Sequence, residues 1–268
     1  MLQIQVPNFR AVKSTVKATL KGRLIPAGVA GTIPYLVYLF ISAFAGIFSM
    51  ILRRFDAVAV ILFAFFGIFL FAPVILGAVR WFWRATDGCE DSPSEVFYYF
   101  SDFFLYKRAL KSALFMLFKC FTAIFTCLIP YLVISVLSNS WIYQFLGAEI
   151  PLWVAGLALV QSFSRVVGVL AAIAVVSRYY LFPAIVAADE NILLLEAMHI
   201  SVMVSRRSVS AFVALVFSYV GWILISFLGV PLFYTAPMFF AAYAVHSRYA
   251  LVNYNQNLNR FKNEQFTF

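Results

Sequence analysis

One arginine lies in the middle of a long apolar segment, where an ionisable side chain is costly. Arg165 follows Gln161 by four residues and Ser164 by one. A charged group inside a membrane span marks a candidate functional site. We therefore predict a polar intramembrane site at Gln161, Ser164 and Arg165, lining a cavity that holds an anion. The alternative is a different helix boundary, with Arg165 reaching the outer interface beside a re-entrant segment.

Four carboxylates cluster in a polar stretch that covers residues 84–111. They are Asp87, Glu90, Asp91 and Glu95. Carboxylate oxygens bind divalent cations, but this spacing does not match a calcium-binding loop. We predict a solvated loop whose charges favour the start of a helix, and no metal site.

The other residue types that carry chemistry form no catalytic or cofactor motif. His199 and His246 are far apart, and neither has a metal ligand at helical spacing. The chain has no nucleotide-binding loop and no recognisable pair of nucleophile and base. We therefore predict no catalytic residues, no metal ions and no cofactors.

The composition indicates that membrane-spanning helices position these residues. Apolar residues make up 64% of the 268 positions, and charged residues make up 12%. Soluble domains are nearer half apolar and a quarter charged. The net charge of +9 would favour nucleic acid in a soluble protein. Here Lys and Arg flank apolar segments, so we predict no nucleic-acid partner and contact with anionic lipid headgroups instead.

The predicted fold is an all-α polytopic transmembrane helix bundle of about six spans. The predicted spans are 28–51, 57–81, 112–137, 153–177, 209–228 and 232–246. Residues 1–27 are predicted as a basic amphipathic helix on the membrane surface, and residues 248–268 as a frayed cytoplasmic tail. Because 152–188 is too long for one ordinary span, a re-entrant piece followed by a shorter span stays an alternative.

The distribution of basic residues predicts the orientation. Sixteen Lys and Arg fall in the N-terminal segment, the C-terminal tail and the two loops between them on one side, whereas the other side has only Arg53 and Arg54. Loops rich in Lys and Arg face the cytoplasm. We therefore predict a multi-pass protein of the plasma (inner) membrane with both termini in the cytoplasm.

Two blocks of the chain have a similar pattern at an offset of about 101 residues. The offset aligns Glu95 with Glu196, Pro130 with Pro231, and the pair Lys107 and Arg108 with Arg206 and Arg207 to within two residues. Each block is interpreted as an inward span, a cytoplasmic amphipathic helix, a basic pair and an outward span. This pattern predicts two parallel, three-helix-like repeats.

The amphipathic helix of each block is predicted from its apolar face. In the first block, Ser92 to Glu95 have the form of a capping box, and the apolar face consists of Val96, Phe97, Phe100, Phe103 and Phe104. In the second block, the face consists of Leu194, Leu195, Met198 and Val202. We predict that both helices lie under the bundle or on the inner membrane surface.

The second block also carries a resemblance to a known family. It contains Tyr179, Tyr180, Pro183, Asp189, Glu196, Ala197, Ser201 and Met203, then the stretch from Phe217 to Trp222, and later Ala236 and Pro237. The first block adds Gly77, Gly88 and the segment 97–104. This order resembles a bacterial family of integral membrane proteins defined as a domain of unknown function. The resemblance covers about residues 10–250 and implies six spans without a settled activity.

Three functional hypotheses follow. The first is a non-catalytic accessory, scaffold or envelope-homeostasis protein whose partners are other membrane proteins. The second is a transporter of a small solute or lipid, with its polar site around Arg165. The third is a membrane-embedded enzyme, which would need paired acid and base groups at one depth.

Overall fold

The structure is a computed structural model that describes residues 9–51, 65–138, 153–226 and 231–265. Within those ranges the chain is mostly helical, with short turns and loops between the helices, and contains no strand. The all-α prediction is therefore confirmed. Arg53, Arg54 and the first part of the predicted second span lie outside the described residues, as do residues 139–152.

The helices follow one another along the chain with short connections. The α-helices are α1 (Phe9–Leu20), α2 (Leu24–Ile51), α3 (Ala72–Thr86), α4 (Phe103–Leu137), α5 (Trp153–Val176), α6 (Phe182–Ala188), α7 (Leu194–Phe217), α8 (Val220–Ser226) and α9 (Leu232–Gln265). A π-helical turn, Gly67–Phe71, precedes α3. A first 3₁₀ helix, Pro93–Phe100, precedes α4, and a second, Ser177–Tyr179, follows α5.

Five helical segments of the described chain are long and apolar enough to cross a membrane. They are Leu24–Ile47, Gly67–Thr86, Phe103–Leu137, Leu159–Ala188 and Leu194–Phe217. The protein therefore has the helices of a multi-pass membrane protein. The predicted sixth span, 232–246, falls in the first half of α9, which continues to Gln265. Residues 248–265 are thus helical, where the sequence predicted a frayed tail.

Helix α7 runs through a basic pair that the sequence placed outside the predicted fifth span, 209–228. The structure has no break at residue 208, and α7 runs from Leu194 to Phe217 past the exposed Arg206 and Arg207. It ends instead inside the predicted fifth span, 209–228, at Ser218. Long charged side chains can extend away from a helix without interrupting its backbone hydrogen bonds. A change in charge therefore gave no information about where the helix ends.

The segment after α5 contains a break that proline explains. The helix ends at Val176, the second 3₁₀ helix follows, and α6 begins at Phe182 with Pro183 in its first turn. Proline lacks an amide hydrogen and is tolerated only at such a position. The predicted fourth span, 153–177, matches α5, and the helical segment continues past Pro183 within the candidate span Leu159–Ala188, with a 3₁₀ turn in place of a regular α-helix before the proline.

The first 3₁₀ helix presents a different face from the predicted one. Val96 and Tyr99 are buried, whereas Phe97, Phe100, Phe103 and Phe104 are exposed. A 3₁₀ helix has three residues per turn, so positions i and i+3 share a face. The predicted face assumed the spacing of an α-helix. In the second block, Met198 is buried and Leu195 is exposed.

The apolar face of helix α1 packs against other helices of the protein. Val12, Val16 and Leu20 are almost fully buried in a core that α1 shares with α2, α3, α7 and α9. The prediction that this helix lies on the membrane surface is therefore wrong for its apolar face. An amphipathic pattern indicates that one face is buried, but it does not distinguish a lipid surface from a protein core.

The chain divides into two units. Unit 1 comprises residues 1–114 and 181–268, and unit 2 comprises residues 115–180. The core of unit 1 is rich in small side chains, including Ala27, Ala30, Ala78, Ala241 and Ala242. Small residues allow helix backbones to approach closely. The rings of Phe82 and Phe240 stack within this core, with 5.5 Å between their centroids.

Unit 2 consists, in its described part, of the second half of α4 and of α5 with the second 3₁₀ helix. We call these two helices the helix pair (residues 115–138 and 153–180). Gly168 and Ala172 are its buried residues among those whose side chains are described. A Cβ atom on Gly168 would lie 2.9 Å from the carbonyl oxygen of Cys127, so the two helices meet at a small-residue contact.

The residues that the predicted internal repeat aligns lie in different structural environments. Glu95 lies in the first 3₁₀ helix, whereas Glu196 lies exposed in the first turn of α7. Pro130 lies inside α4, whereas Pro231 directly precedes α9. The two parallel repeats stay a prediction from the sequence pattern.

Candidate functional sites

The structure brings only part of the predicted polar site together. Gln161, Ser164 and Arg165 all lie on α5. The side-chain oxygen of Gln161 accepts a hydrogen bond from the Ser138 hydroxyl at 3.3 Å. Arg165 is exposed and makes no hydrogen bond or ion pair with any described residue. The groove beside Arg165 is lined by residues of α5 itself: Ser162, Val166, Val169 and Leu170.

The acidic stretch in unit 1 is paired with arginines from several elements. Asp87 pairs with Arg248, Glu90 with Arg23, Asp91 with Arg84, and Glu95 with Arg80. We call these pairs, together with that of Arg80 and Glu190, the arginine–carboxylate network. No group of three metal-ligating side chains occurs among the described residues. The loop is thus an electrostatic junction between α3, α9 and the segment that joins α1 to α2.

The end of α3 sets the position of this acidic loop. Gly88 has φ of 85°, and its amide hydrogen-bonds to the carbonyl of Ala85. The amide of Cys89 bonds to the carbonyl of Arg84. This pair of bonds is the Schellman motif, which needs a left-handed residue and therefore favours glycine. The indole of Trp81 then donates to the carbonyls of Asp91 and Ser92, which holds the loop against α3.

Arg80 is the most buried cation of the network. Its side chain is 11% exposed and contacts two carboxylates. The guanidinium lies 3.1 Å from Glu190 through Nη2 and 3.5 Å from Glu95 through Nη1. It also lies over the ring of Tyr98, at 3.4 Å from the centroid. A planar guanidinium can stack on an aromatic ring and bind carboxylates at its edge at the same time.

A second arginine joins the start of α4 to the same region. The Nη2 atom of Arg108 donates to the carbonyls of Asp189 and Ile192, at 3.1 and 3.0 Å. These carbonyls belong to the connection between α6 and α7. Arg80 and Arg108 therefore both hold this connection, one through a side chain and the other through backbone oxygens.

Two tyrosines beside Arg80 differ in their hydrogen bonds. Burial, followed by a hydrogen bond with Glu190, raises the pKa of Tyr98 above its usual value. Tyr99 is fully buried, which raises the pKa of its phenol strongly. The hydroxyl of Tyr99 has no hydrogen-bond partner in the described chain. An unpaired buried hydroxyl costs free energy, whereas a paired one is close to neutral or favourable.

We expect Tyr99→Phe to keep or raise the free energy of unfolding, by up to about 1 kcal/mol, because it removes an unpaired buried hydroxyl. The neighbouring Tyr98→Phe is the matched control, and it should lower that free energy by about 1 kcal/mol through loss of the bond to Glu190. Equilibrium unfolding in mixed detergent micelles measures both. A clear loss of stability in Tyr99→Phe would contradict the view that the Tyr99 hydroxyl is buried without a hydrogen-bond partner.

A basic cavity of about 190 Å³ lies in unit 1 where α1, α8 and α9 meet. It is lined by Lys13, Lys17, Tyr219, Trp222, Tyr234, Thr235 and Met238. The ammonium of Lys13 donates to the carbonyl of Ser218 at 3.2 Å and lies 4.6 Å from the centroid of the Tyr219 ring. Lys17, one helical turn further along α1, is exposed.

The sequence contained part of the signal for these sites. The sequence identifies the basic amphipathic helix that becomes α1 and the stretch from Phe217 to Trp222, but nothing in it indicates that the two meet. Arg80 was counted only among the basic residues that determine orientation. Its position three residues after Gly77, on the same helical face, is the one local signal that could have identified it.

Comparison with known proteins gives no relative for this chain. No protein-family model matches the sequence, no curated protein matches it, and no solved structure matches the fold. The resemblance to a bacterial family of unknown function stays a prediction from the motifs, and the functional argument depends on the geometry described above.

Proposed function

We propose that the protein is a non-catalytic accessory or scaffold protein of the membrane, which holds a partner membrane protein against the helix pair of unit 2. The observation that carries the proposal is Arg165, which is exposed on α5 and unpaired within the described chain. A scaffold needs a packed core, which unit 1 has, and an exposed polar contact for its partner, which Arg165 offers among the described residues of unit 2.

The position of Arg165 along α5 argues against simple exposure to lipid. The residue lies midway between Trp153 and Val176, roughly 17 Å from either end at 1.5 Å per residue. A guanidinium at the centre of a span costs about 2.5–3.5 kcal/mol on insertion scales; Arg165 lies six residues inside the candidate span Leu159–Ala188, so its cost is below that range. A partner that offers a carboxylate or free carbonyl at this depth would remove that cost.

The surface beside Arg165 is suited to a partner helix. An apolar groove of about 440 Å³ lies between α4 and α5, with Ile124, Leu128, Val169 and Ile173 among its lining residues. Helices associate in membranes through close packing together with interhelical hydrogen bonds. The groove offers the packing surface, and Arg165 offers the polar contact.

The transporter hypothesis receives less support from the same geometry. A solute site needs several polar groups that converge on one space. Arg165 shares its groove mainly with apolar residues of its own helix, and Gln161 is directed to Ser138. Polar groups from α4 do not line this groove within the described residues.

The finer localisation is also a proposal. We propose insertion in the plasma (inner) membrane with both termini in the cytoplasm. In its support, the network joins Arg23, Arg80, Arg84 and Arg248 to one acidic loop. All of these residues belong to segments that the basic-residue distribution assigns to the cytoplasmic side.

Substitution of Arg165 tests the partner. We expect wild-type protein, extracted from its native membrane with mild detergent, to migrate as a complex larger than the free chain. Arg165→Leu should weaken that association by at least about tenfold, because a desolvated charge pair is lost. Arg165→Lys should retain most of it. Size-exclusion chromatography with light scattering measures the species.

The matched control is Arg178→Leu, which removes the same charge at the end of the helix pair. It should leave the complex intact, since Arg178 lies at the end of the helix pair, 13 residues beyond Arg165 along the chain. Equal sizes for wild type and Arg165→Leu would refute a partner at Arg165. For the transporter alternative, Arg165→Cys in a chain without its native cysteines would react from one side with a membrane-impermeant thiol reagent. A variant that keeps only Cys89 shows that the reagent works.

A further inference from the structure

We propose that the basic cavity of unit 1 binds the phosphate group of a phosphomonoester. Its two cations come from α1, and its aromatic wall comes from α8, α9 and the end of α7. This site is separate from Arg165 and does not depend on the proposed scaffold function.

The charge of the cavity favours a dianion. Lys13 and Lys17 both line it, and no carboxylate does among the residues that the structure describes. They are four residues apart, so their side chains lie on one face of α1. A phosphomonoester carries about −1.5 to −2 charges near neutral pH, which matches two ammonium groups better than a singly charged carboxylate or phosphodiester does.

The contacts of Lys13 hold its ammonium in place and leave some of its hydrogen-bond donors available for a ligand. One of its three donors is used on the carbonyl of Ser218, at the C-terminal end of α7. A cation there balances the negative end of that helix. Two donors are left for a ligand, whereas Lys17 is exposed and has no hydrogen bond or ion pair with the described residues.

The first turn of α9 adds further positive potential. Tyr234 and Thr235 line the cavity just after the helix begins at Leu232. The N-terminal end of a helix carries a partial positive charge that attracts anions. The amides of Tyr234 and Thr235 both donate to the carbonyl of Pro231, so the helix start contributes its dipole and the two ammonium groups supply the direct contacts.

The size and the wall of the cavity limit the ligand. A volume of about 190 Å³ is below the roughly 300 Å³ of pockets for drug-sized molecules, so it fits a phosphate and a short stem. Trp222 and Tyr234 are partly exposed at its side, with 6.0 Å between their ring centroids. Such aromatic side chains accompany lipid headgroups at membrane interfaces. The phosphate could thus belong to a lipid or to a small soluble ester.

The test measures ligand binding in nanodiscs of defined composition. Phosphatidic acid is titrated into phosphatidylcholine nanodiscs that hold the full chain, and retained lipid is counted by native mass spectrometry. We expect Lys17→Gln to weaken binding about tenfold or more, as loss of a charge-assisted hydrogen bond implies. Lys17→Arg should bind nearly as well as wild type. The matched control Lys21→Gln, with the same charge change outside the cavity, should bind as wild type does.

A second arm distinguishes the source of the phosphate. Glycerol 3-phosphate is added to the same nanodiscs, with and without phosphatidic acid. Competition with the lipid, or thermal stabilisation that Lys17→Gln abolishes, would assign the cavity to a soluble ester. Lipid binding without competition would assign it to a headgroup. Equal losses in Lys17→Gln and Lys21→Gln, or no binding of either compound, would overturn the proposal.

Discussion

Replacing Arg80 by Gln is expected to lower the free energy of unfolding by about 3 kcal/mol. Removing one partner of a buried ion pair costs about 3–5 kcal/mol, because the remaining charge stays desolvated. Here two carboxylates would lose their cation. Glu190 and Glu95 are 35% and 42% exposed, so water can reach them, and the expected loss lies at the lower end of that range.

The contact with Tyr98 adds to the effect. The guanidinium of Arg80 covers the ring at 3.4 Å, and such stacking contributes about 0.5–2 kcal/mol, more where water is excluded. Arg80→Lys keeps the charge, but an ammonium cannot stack and contact both carboxylates in the same plane. We expect Arg80→Lys to recover less than half of the loss.

The control for Arg80 lies one helical turn further along α3. Arg84 is 39% exposed and forms a single ion pair with Asp91, which is 16% exposed. Arg84→Gln therefore leaves one partly buried carboxylate and should cost about 1–2 kcal/mol, less than Arg80→Gln because no second carboxylate and no ring contact are lost. Denaturant titration in mixed micelles compares the two variants. Equal losses of stability for Arg80→Gln and Arg84→Gln would mean that Arg80 contributes no more to the stability of unit 1 than Arg84 does.

A double-variant cycle separates the pair from its surroundings. If Arg80 and Glu190 act through one contact, Arg80→Gln combined with Glu190→Gln should cost less than the sum of the single changes. The coupling free energy of residues in direct contact is typically 0.5–3 kcal/mol. Additive costs would show that the 3.1 Å contact contributes nothing to stability.

The sequence was sufficient to predict the helical class, because composition and the length of apolar segments follow directly from the bilayer as solvent. It also indicated which face of α1 is buried. What covers that face was not predictable, since Val12, Val16 and Leu20 would suit lipid and protein equally well. Only the core shared with α9 distinguishes the two.

The pairing of charges was the least predictable feature. Asp87, Glu90, Asp91 and Glu95 were expected in a solvated loop, and each one contacts an arginine. Arg23 and Arg248 are more than 60 and 150 residues away from their partners along the chain. Local spacing contains no information about such contacts, because they depend on how distant helices pack.

The surroundings of the polar residues on α5 were equally unpredictable, because they also depend on how distant helices pack. The sequence placed Gln161, Ser164 and Arg165 on one helix, and the structure agrees. Convergence on a shared cavity needs groups from a second helix. In the described chain Ser138, which directly follows α4, donates to Gln161, whereas Arg165 has no such partner. A helical pattern can predict which residues of one helix share a face. The residues of other helices that lie opposite that face are determined by tertiary packing.

Gly77→Ala is expected to destabilise unit 1 by about 2 kcal/mol. A Cβ atom at this position would lie 1.9 Å from the carbonyl oxygen of Val96 and 2.8 Å from its carbonyl carbon. Both are backbone atoms, so no side-chain rotation can relieve the overlap. Alanine recovers up to about 1 kcal/mol of helix propensity, but overpacking costs about 1–3 kcal/mol and sometimes more.

The overlap between the new Cβ atom at residue 77 and Val96 should also weaken the arginine–carboxylate network. Arg80 follows Gly77 by three residues on the same face of α3, and its partners Glu95 and Tyr98 flank Val96 in the first 3₁₀ helix. Displacing that helix therefore loosens the contacts of Arg80. We expect the combination of Gly77→Ala with Arg80→Gln to cost clearly less than the sum of the single changes.

Gly67→Ala is the matched control for Gly77→Ala, since it adds the same methyl group to the same candidate span. A Cβ atom there meets no atom within 4 Å, so the free energy of unfolding should change by less than about 1 kcal/mol. Thermal and denaturant unfolding in micelles measure both variants. If both glycines tolerate alanine equally, the close approach of α3 to Val96 is incorrect, and the positions of Glu95 and Tyr98 around Arg80 are incorrect with it.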